Sequence, residues 1–374
     1  MARPNRKDRN LKKAGAALVA VVCGFGYSVY ALLGCVGLGR SRFLALLGAC
    51  AFGYALARLR QSGLCGKKPS REDEAAYLQD KCAGCALVTG CTAGLGRAWV
   101  EGLLDRGVAV VMVSRSPEKL AAVEQEFLAK FPDARLLCVA FDFLHGDGRT
   151  FYAETLPALL RGADFKTDSR RVGLVINNVG VGSEDPLTID EVSAEEHDDT
   201  ISINCGATTK MCRAALPVLA ALGGGVVVNV SSGSALQPTP YLCVYAATKA
   251  FILHLSKSLD REWRAKGVRV LATAPYYVSD TGLYKGKPAF NAPPPKVVVD
   301  GTLNFLANRR HVAHECTHTC FAHACIAFLL TNLAEDAAIS PLIKPFAKVC
   351  GFNGSMLAIM TKARQRFLEK RKGQ

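Results

Sequence analysis

The chain has 374 residues, half of them hydrophobic, and a formal net charge of +14. That length suits one large domain with extensions, and the apolar content suffices for a sizeable core. The 15 cysteines are odd in number and scattered, which excludes a short secreted disulfide framework and favours reduced thiols.

Positive charge gathers at the two ends, Arg3 to Lys13 and Lys362 to Lys372. Without any nucleic-acid-binding motif, basic ends of this kind point to an anionic membrane surface. Residues 1–13 form a basic N-terminus. Ala14 to Gly39 then carries no charged residue, and a spanning helix needs about 20 apolar residues. A second uncharged run, Phe43 to Ala57, lies between Arg42 and Arg58. Its length fits a short span, a re-entrant piece or an interfacial helix. The first run is longer than the apolar core of roughly 7–15 residues in a cleaved signal peptide. Residues 14–59 therefore read as a membrane anchor with both flanks on the cytosolic side. The polar stretch 60–82 reads as a linker.

Cys85 to Gly96 reads CALVTGCTAGLG. A short apolar strand runs into Thr89-Gly90, then Gly94-Leu95-Gly96, then a helical pattern. Such a glycine-rich turn lets backbone N–H groups approach a phosphate at a helix N-terminus. Cys82 and Cys85 form a CxxC, which with no second pair nearby reads as packing. The second strand, Val108 to Val113, ends in Ser114-Arg115-Ser116. No carboxylate stands there for a ribose 2′-hydroxyl. Arg115 offers a guanidinium suited to a 2′-phosphate, so the expected cofactor is NADPH and the expected direction is reduction. Further strands are read at Arg135 to Phe141, which Asp142 follows, and at Val172 to Ile176, which runs into Asn177-Asn178-Val179-Gly180. Strands alternating with helices predict a parallel sheet covered on both faces, an α/β doubly wound, Rossmann-type fold.

Gly225 to Val230 is another buried strand, and Cys243 to Trp263 carries apolar residues at helical spacing. Tyr245 and Lys249 lie one turn apart on that helix, and Ser232 precedes Tyr245 by thirteen residues. An ammonium beside a phenol favours the phenolate, so the pKa of Tyr245 is expected to be lowered. With the TGxxxGxG turn, this stretch resembles the short-chain dehydrogenase/reductase family. The resemblance implies that Asp142 contacts the adenine, that Asn177-Asn178-Val179-Gly180 corresponds to the family's NNAG, and that Asn204 completes a catalytic tetrad with Ser232, Tyr245 and Lys249. Ser232 is then expected to hold and polarise a carbonyl, Tyr245 to protonate its oxygen, Lys249 to bind the nicotinamide ribose and tune Tyr245, and Asn204 to hold a relaying water. The implied cofactor contacts are Thr89, Gly90, Gly94, Leu95, Gly96, Arg115, Asp142, Asn178, Tyr245, Lys249, Pro275 and Val278, with no metal.

After the strand Val268 to Thr273, the family's PG motif is replaced by Pro275-Tyr276. That departure resembles one branch, the membrane-bound very-long-chain 3-oxoacyl-CoA reductases and related 17β-hydroxysteroid dehydrogenases. VTGCTAGLGRA, VSRSPEKL and NVSSGSA resemble it as well. The family's Thr five residues after the proline is here Asp280, with Thr281 next, which puts the carboxamide contact in doubt. The resemblance implies reduction of a long-chain 3-oxoacyl-CoA to the 3-hydroxyacyl-CoA in fatty-acid elongation. A steroid or retinoid dehydrogenase, and a catalytically inactive NADPH-binding scaffold, are the alternatives.

Lys285 to Lys296 sits where the family carries its substrate lid, and its basic residues suit CoA phosphates as well as a solvated loop. The cluster His311, His314, Cys316, His318, Cys320, His323 and Cys325 has metal-ligand residue types. By resemblance it falls on the last strand of the sheet, and it reads as packing. The reductase domain is thus placed at 83–325 and a helical, membrane-associated extension at 326–374. Lys370 and Lys372 stand in a KxKxx-like pattern, the retrieval signal of endoplasmic reticulum membrane proteins, which implies a catalytic domain facing the cytosol. By resemblance a homodimer is expected.

Overall fold

The computed structural model describes residues 69–165, 168–183, 185–282, 284, 286–289, 292–308, 316–317 and 356–372. The membrane anchor read at 14–59 and most of the His/Cys cluster at 311–325 lie outside them. Among the described residues no helix is long and apolar enough to cross a membrane.

Among the described residues seven strands form one parallel sheet. They are β1 (Cys85–Thr89), β2 (Ala109–Ser114) and β3 (Leu136–Ala140), then β6 (Leu174–Asn177), β7 (Gly225–Val230), β8 (Val268–Thr273) and β9 (Cys316–Thr317). The two-residue strands β4 (Ala163–Asp164) and β5 (Ser169–Arg170) pair as a separate antiparallel ribbon. The sheet order is β3-β2-β1-β6-β7-β8-β9. The chain works outward from β1 to one edge, then returns to β6 and works outward to the other. The reversal opens a crevice at the carboxyl ends of β1 and β6, where open α/β sheets take their ligands.

Every residue of β1, β2, β6 and β7 is buried. Such runs need a cover on both faces. Alternate strand residues supply the two cores. Ala86, Val88, Val110, Met112, Ile176 and Val228 pack with Trp99, Leu103, Leu120 and Phe127. These last come from α2 (Gly94–Leu104) and α3 (Pro117–Lys130). On the other face Cys85, Leu87, Val111, Val175 and Val227 pack with Leu156, Leu160, Met211 and Leu216, from α4 (Leu156–Arg161) and α6 (Thr208–Ala221). Cys82 and Cys85 belong to opposite cores, and burial pushes both thiols up to about 12. Cys82, Cys85, Cys91, Cys138, Cys205, Cys212 and Cys243 are free.

One stretch departs from the sequence reading. Within the expected linker, α1 (Arg71–Cys82) is a capped helix: Ser70 Oγ accepts from Asp73 N, and the Asp73 carboxylate accepts from Ser70 N. Glu74, Leu78 and Cys82, spaced four apart, turn inward. Buried Arg106 binds Glu74 at 2.5 Å and Asp300 at 3.0 Å, so α1 is tied to α8 (Pro295–Ala307). The apolar stripe is only one side chain wide, which is why the pattern looks like a polar linker.

Candidate active site

The glycine turn follows β1. Gly90 and Gly94 take φ of +64° and +51°, backbone that L side chains rarely adopt. A Cβ on Gly96 would lie 2.0 Å from the Gly90 carbonyl oxygen, so the turn can close only on a glycine there. Leu95, between them, is half-buried against the core. α2 starts at Gly94 with no side-chain cap from Ala93 and no acid in its first turn. Its first N–H groups have no intrahelical partner and point to where an anion is favoured.

Thr89 and Asn178 brace this turn from beneath. Thr89 Oγ1 accepts from the N–H groups of Asn178 and Val179, both at 3.0 Å. Asn178 Nδ2 donates to the carbonyls of Thr89 and Gly90. Thr89 is wholly buried, so its hydroxyl serves the turn. Arg115 is exposed just beyond β2. Asp142, beyond β3, is held below the usual carboxylate range, first by the Leu144 N–H and in part by the nearby Arg115. The two therefore share the outer end of the crevice.

The four tetrad residues converge at its other end. Ser232 follows β7, and its hydroxyl accepts from Ser234 N at 3.2 Å. Tyr245 and Lys249 lie on α7 (Cys243–Trp263). Asn204 lies in a π-turn, Ser202–Ala207, between α5 (Ala194–Ile201) and α6, the kind of helix defect that marks functional positions. Asn204 is fully buried; its Oδ1 accepts from Val181 N at 2.9 Å, and its Nδ2 donates to Val181 O and Thr248 Oγ1. Lys249 Nζ donates to Val230 O at 3.1 Å and lies 5.6 Å from the centre of the Tyr245 ring.

Sequence reasoning placed Gly180 in the Asn177–Gly180 motif without a role of its own, and missed Gly182. A Cβ on Gly180 would meet Lys249 Nζ at 3.0 Å and Asn204 Oδ1 at 3.1 Å, and one on Gly182 would lie 2.5 Å from the Tyr245 ring. This glycine track lets the segment after β6 lie flat on the side chains of Lys249, Asn204 and Tyr245. The GxG spacing after the strand was its visible signal.

The expected lowering of the Tyr245 pKa is corrected. Burial raises it, only partly offset by the hydrogen bond with Ser232. The ammonium does not relieve this, because Lys249 is itself buried and its own pKa is pushed down to about 8. In this arrangement Lys249 is the group that titrates near neutrality.

Beyond β8, Pro275 O accepts from Gly233 N at 2.7 Å, which fixes the Ser232 loop. Val278 is buried. Asp280 takes φ +57°, an extra residue folded out of the way, and Thr281 then lies 3.6 Å from a Cβ placed on Gly94. Thr281, not Asp280, thus faces the glycine turn.

The family described as short chain dehydrogenase matches residues 84–291, the span that holds this crevice. The chain belongs to that family. This short chain dehydrogenase is 31% identical over 261 residues to the very-long-chain 3-oxoacyl-CoA reductase of Anas platyrhynchos, covering 69% of this chain and 78% of that one. It is 34% identical over 194 residues to inactive hydroxysteroid dehydrogenase-like protein 1 of Pongo abelii, covering 52% of this chain and 56% of that one. Among solved structures it is similar to the short-chain dehydrogenase from Sphingobium yanoikuyae in complex with NADPH. There the identity is 25% and the TM-score 0.52, with 62% and 87% of the two chains covered. As a member of this family the protein is an oxidoreductase acting on carbonyl or hydroxyl groups.

Proposed function

We propose that the protein reduces the carbonyl of a long-chain 3-oxoacyl-CoA with NADPH, as a step of fatty-acid elongation. The observation that carries this reading is the convergence of Ser232, Tyr245, Lys249 and Asn204 beside an apolar cleft. The cleft is a shallow, open groove with an enclosed volume of only about 30 Å³, and its lining includes Leu187, Ile189, Val192, Leu242, Val244 and Tyr245. An alkyl chain laid along this apolar surface would bring a carbonyl near Tyr245, which is one of its lining residues.

The residues fit a dinucleotide. Gly90, Gly94, Leu95 and Gly96 would cradle the pyrophosphate at the start of α2, where a larger residue at Gly96 would fill the cradle. Arg115 would hold the 2′-phosphate and Asp142 the adenine. Asn178, Pro275 and Val278 would border the nicotinamide. When bound, NADPH supplies a hydride for the carbonyl carbon.

Ser232 donates a hydrogen bond to the carbonyl oxygen and so favours the charge that develops there. Tyr245 gives that oxygen its proton. The raised pKa of Tyr245 keeps the phenol protonated at neutral pH, the state a donor requires. Lys249, with a pKa of about 8, restores that proton and exchanges its own with solvent. Asn204 keeps the segment of Gly180 to Gly182 against both side chains, and its position suits a water between Lys249 and solvent.

The domain reading goes with this function: an anchor at 14–59, a reductase domain at 83–325 and an extension at 326–374. A hydrophobic substrate, the uncharged run from Ala14 to Gly39 and the basic ends support attachment to the endoplasmic reticulum membrane from the cytosolic side, with the protein as a homodimer. A second reading, a scaffold that binds NADPH without turnover, is favoured by the 34% identity to a relative named inactive. The presence of Tyr245, hydrogen-bonded to Ser232, and of Lys249 beside the same glycine as Asn204 weighs against it.

The test is NADPH oxidation by the detergent-solubilised full chain with a long-chain 3-oxoacyl-CoA and, separately, an oxosteroid. Turnover of the acyl-CoA is expected. Turnover of the steroid alone moves the protein to the steroid branch, and NADPH binding without turnover of either supports the scaffold.

A further inference from the structure

The last described helix, α9 (Met356–Lys372), reaches back to the cleft beside Tyr245 through Arg364. Arg364 is 13% exposed. One guanidinium nitrogen donates to the Pro186 carbonyl at 2.9 Å, and another binds the Glu191 carboxylate at 2.5 Å. The other Glu191 oxygen accepts from the backbone N–H and the hydroxyl of Thr188, both at 2.8 Å. Arg364 first, with Thr188, pulls the Glu191 pKa down to about 2. The loop from Pro186 to Glu191, one wall of the cleft, is thus pinned at both ends.

The same guanidinium lies 5.8 Å from the centre of the Tyr241 ring. Tyr241 belongs to the opposite wall and precedes α7. Its φ of +64° is a left-handed conformation that a tyrosine rarely adopts. Such a residue persists only where its surroundings over-determine it. Two contacts do so here: its carbonyl accepts from Leu187 N at 3.2 Å, and its ring meets Arg364. Four residues further along the chain stands Tyr245. The planar guanidinium therefore joins both walls of the cleft and the start of the helix that carries the proton donor.

We infer that Arg364 is a positioning residue for the substrate cleft, fixing the Pro186–Glu191 loop and Tyr241 so that an elongated substrate enters in register with Tyr245. The paired Glu191 carboxylate neutralises Arg364, so it acts through the loop and not as an anchor for an anionic ligand. This rests on the proposed reductase reading for its substrate, but not for its geometry.

The experiment uses the detergent-solubilised full chain and the variants Arg364→Ala, Arg364→Lys and Glu191→Gln. Hydrogen–deuterium exchange is followed without substrate over residues 181–192 and 238–245. Loss of charge-assisted hydrogen bonds is expected to speed exchange there by about 10- to 100-fold, with β1 and α2 unchanged. KM for a long-chain 3-oxoacyl-CoA should rise about 10-fold or more, with a smaller fall in kcat and unchanged NADPH affinity. Arg364→Lys should rescue little, because an ammonium cannot reproduce the planar fork. If Arg364→Ala does not fold, Glu191→Gln carries the same comparison with α9 intact. Unchanged exchange in both segments, or equal losses of NADPH affinity and substrate affinity, overturns the inference. Faster exchange in the variants, with no acyl-CoA turnover by the unaltered chain, upholds the positioning role and refutes the substrate reading alone.

Discussion

Lys249→Met separates the chemical need for the lysine from its effect on stability. Lys249 is 4% exposed, and burial lowers its pKa from 10.5 to about 8. In the unfolded chain it titrates near 10.4. The folded state thus holds the proton less tightly than the unfolded state. Below pH 8 both states are protonated, and the native state bears the whole cost of a buried ammonium, about 3 kcal/mol. The cost falls as pH rises from about 8 towards 10.4 and is absent above that. Methionine keeps the stem and removes the charge. It also removes the bond from Nζ to Val230 O, worth about 1 kcal/mol. Lys249→Met should therefore be inactive yet more stable than the unaltered chain by about 2 kcal/mol at neutral pH. That advantage should vanish somewhat below pH 10.4 and reverse above it to the roughly 1 kcal/mol lost with the Val230 bond. Urea unfolding of both proteins, followed by tryptophan fluorescence across this range, gives the difference directly. A variant less stable at neutral pH, or a difference that does not shrink as pH rises, would refute the reasoning.

Two further outcomes concern the cofactor. Arg115→Ala should weaken NADPH far more than NADH, by about 10-fold or more, in a fluorescence titration; equal losses would sink the 2′-phosphate assignment. Gly96→Ala should destabilise by about 1–3 kcal/mol through overpacking, although alanine ordinarily favours a helix by up to about 1 kcal/mol over glycine. It should also lower NADPH affinity, because the new Cβ would lie 2.0 Å from Gly90 O. A more stable variant that still binds NADPH would show that the turn has room.

The strands β7 and β8 and the helix α7 have the bounds read from the sequence, since β-branched runs and a 3.6-residue apolar period are local signals. The glycine turn and the grouping of Ser232, Tyr245, Lys249 and Asn204 were legible because residue types at those spacings are what such chemistry would need. α1 was read as linker, although Ser70 and Asp73 spell a capping box: three inward side chains, one of them Glu74, leave a weak apolar stripe. The direction of the Tyr245 shift was also misjudged. Spacing puts Lys249 beside the phenol but cannot report how deeply both are buried, and burial is the larger effect. The link between Arg364 and Glu191 spans 173 positions. No local pattern can announce such a contact.

The most direct test of the central claim is to compare the full chain with Tyr245→Phe for NADPH binding and for NADPH oxidation with a long-chain 3-oxoacyl-CoA. The account predicts unchanged NADPH affinity with turnover reduced at least about 100-fold, the scale on which a positioned proton donor acts. A phenylalanine variant that turns over at the rate of the unaltered chain would contradict it.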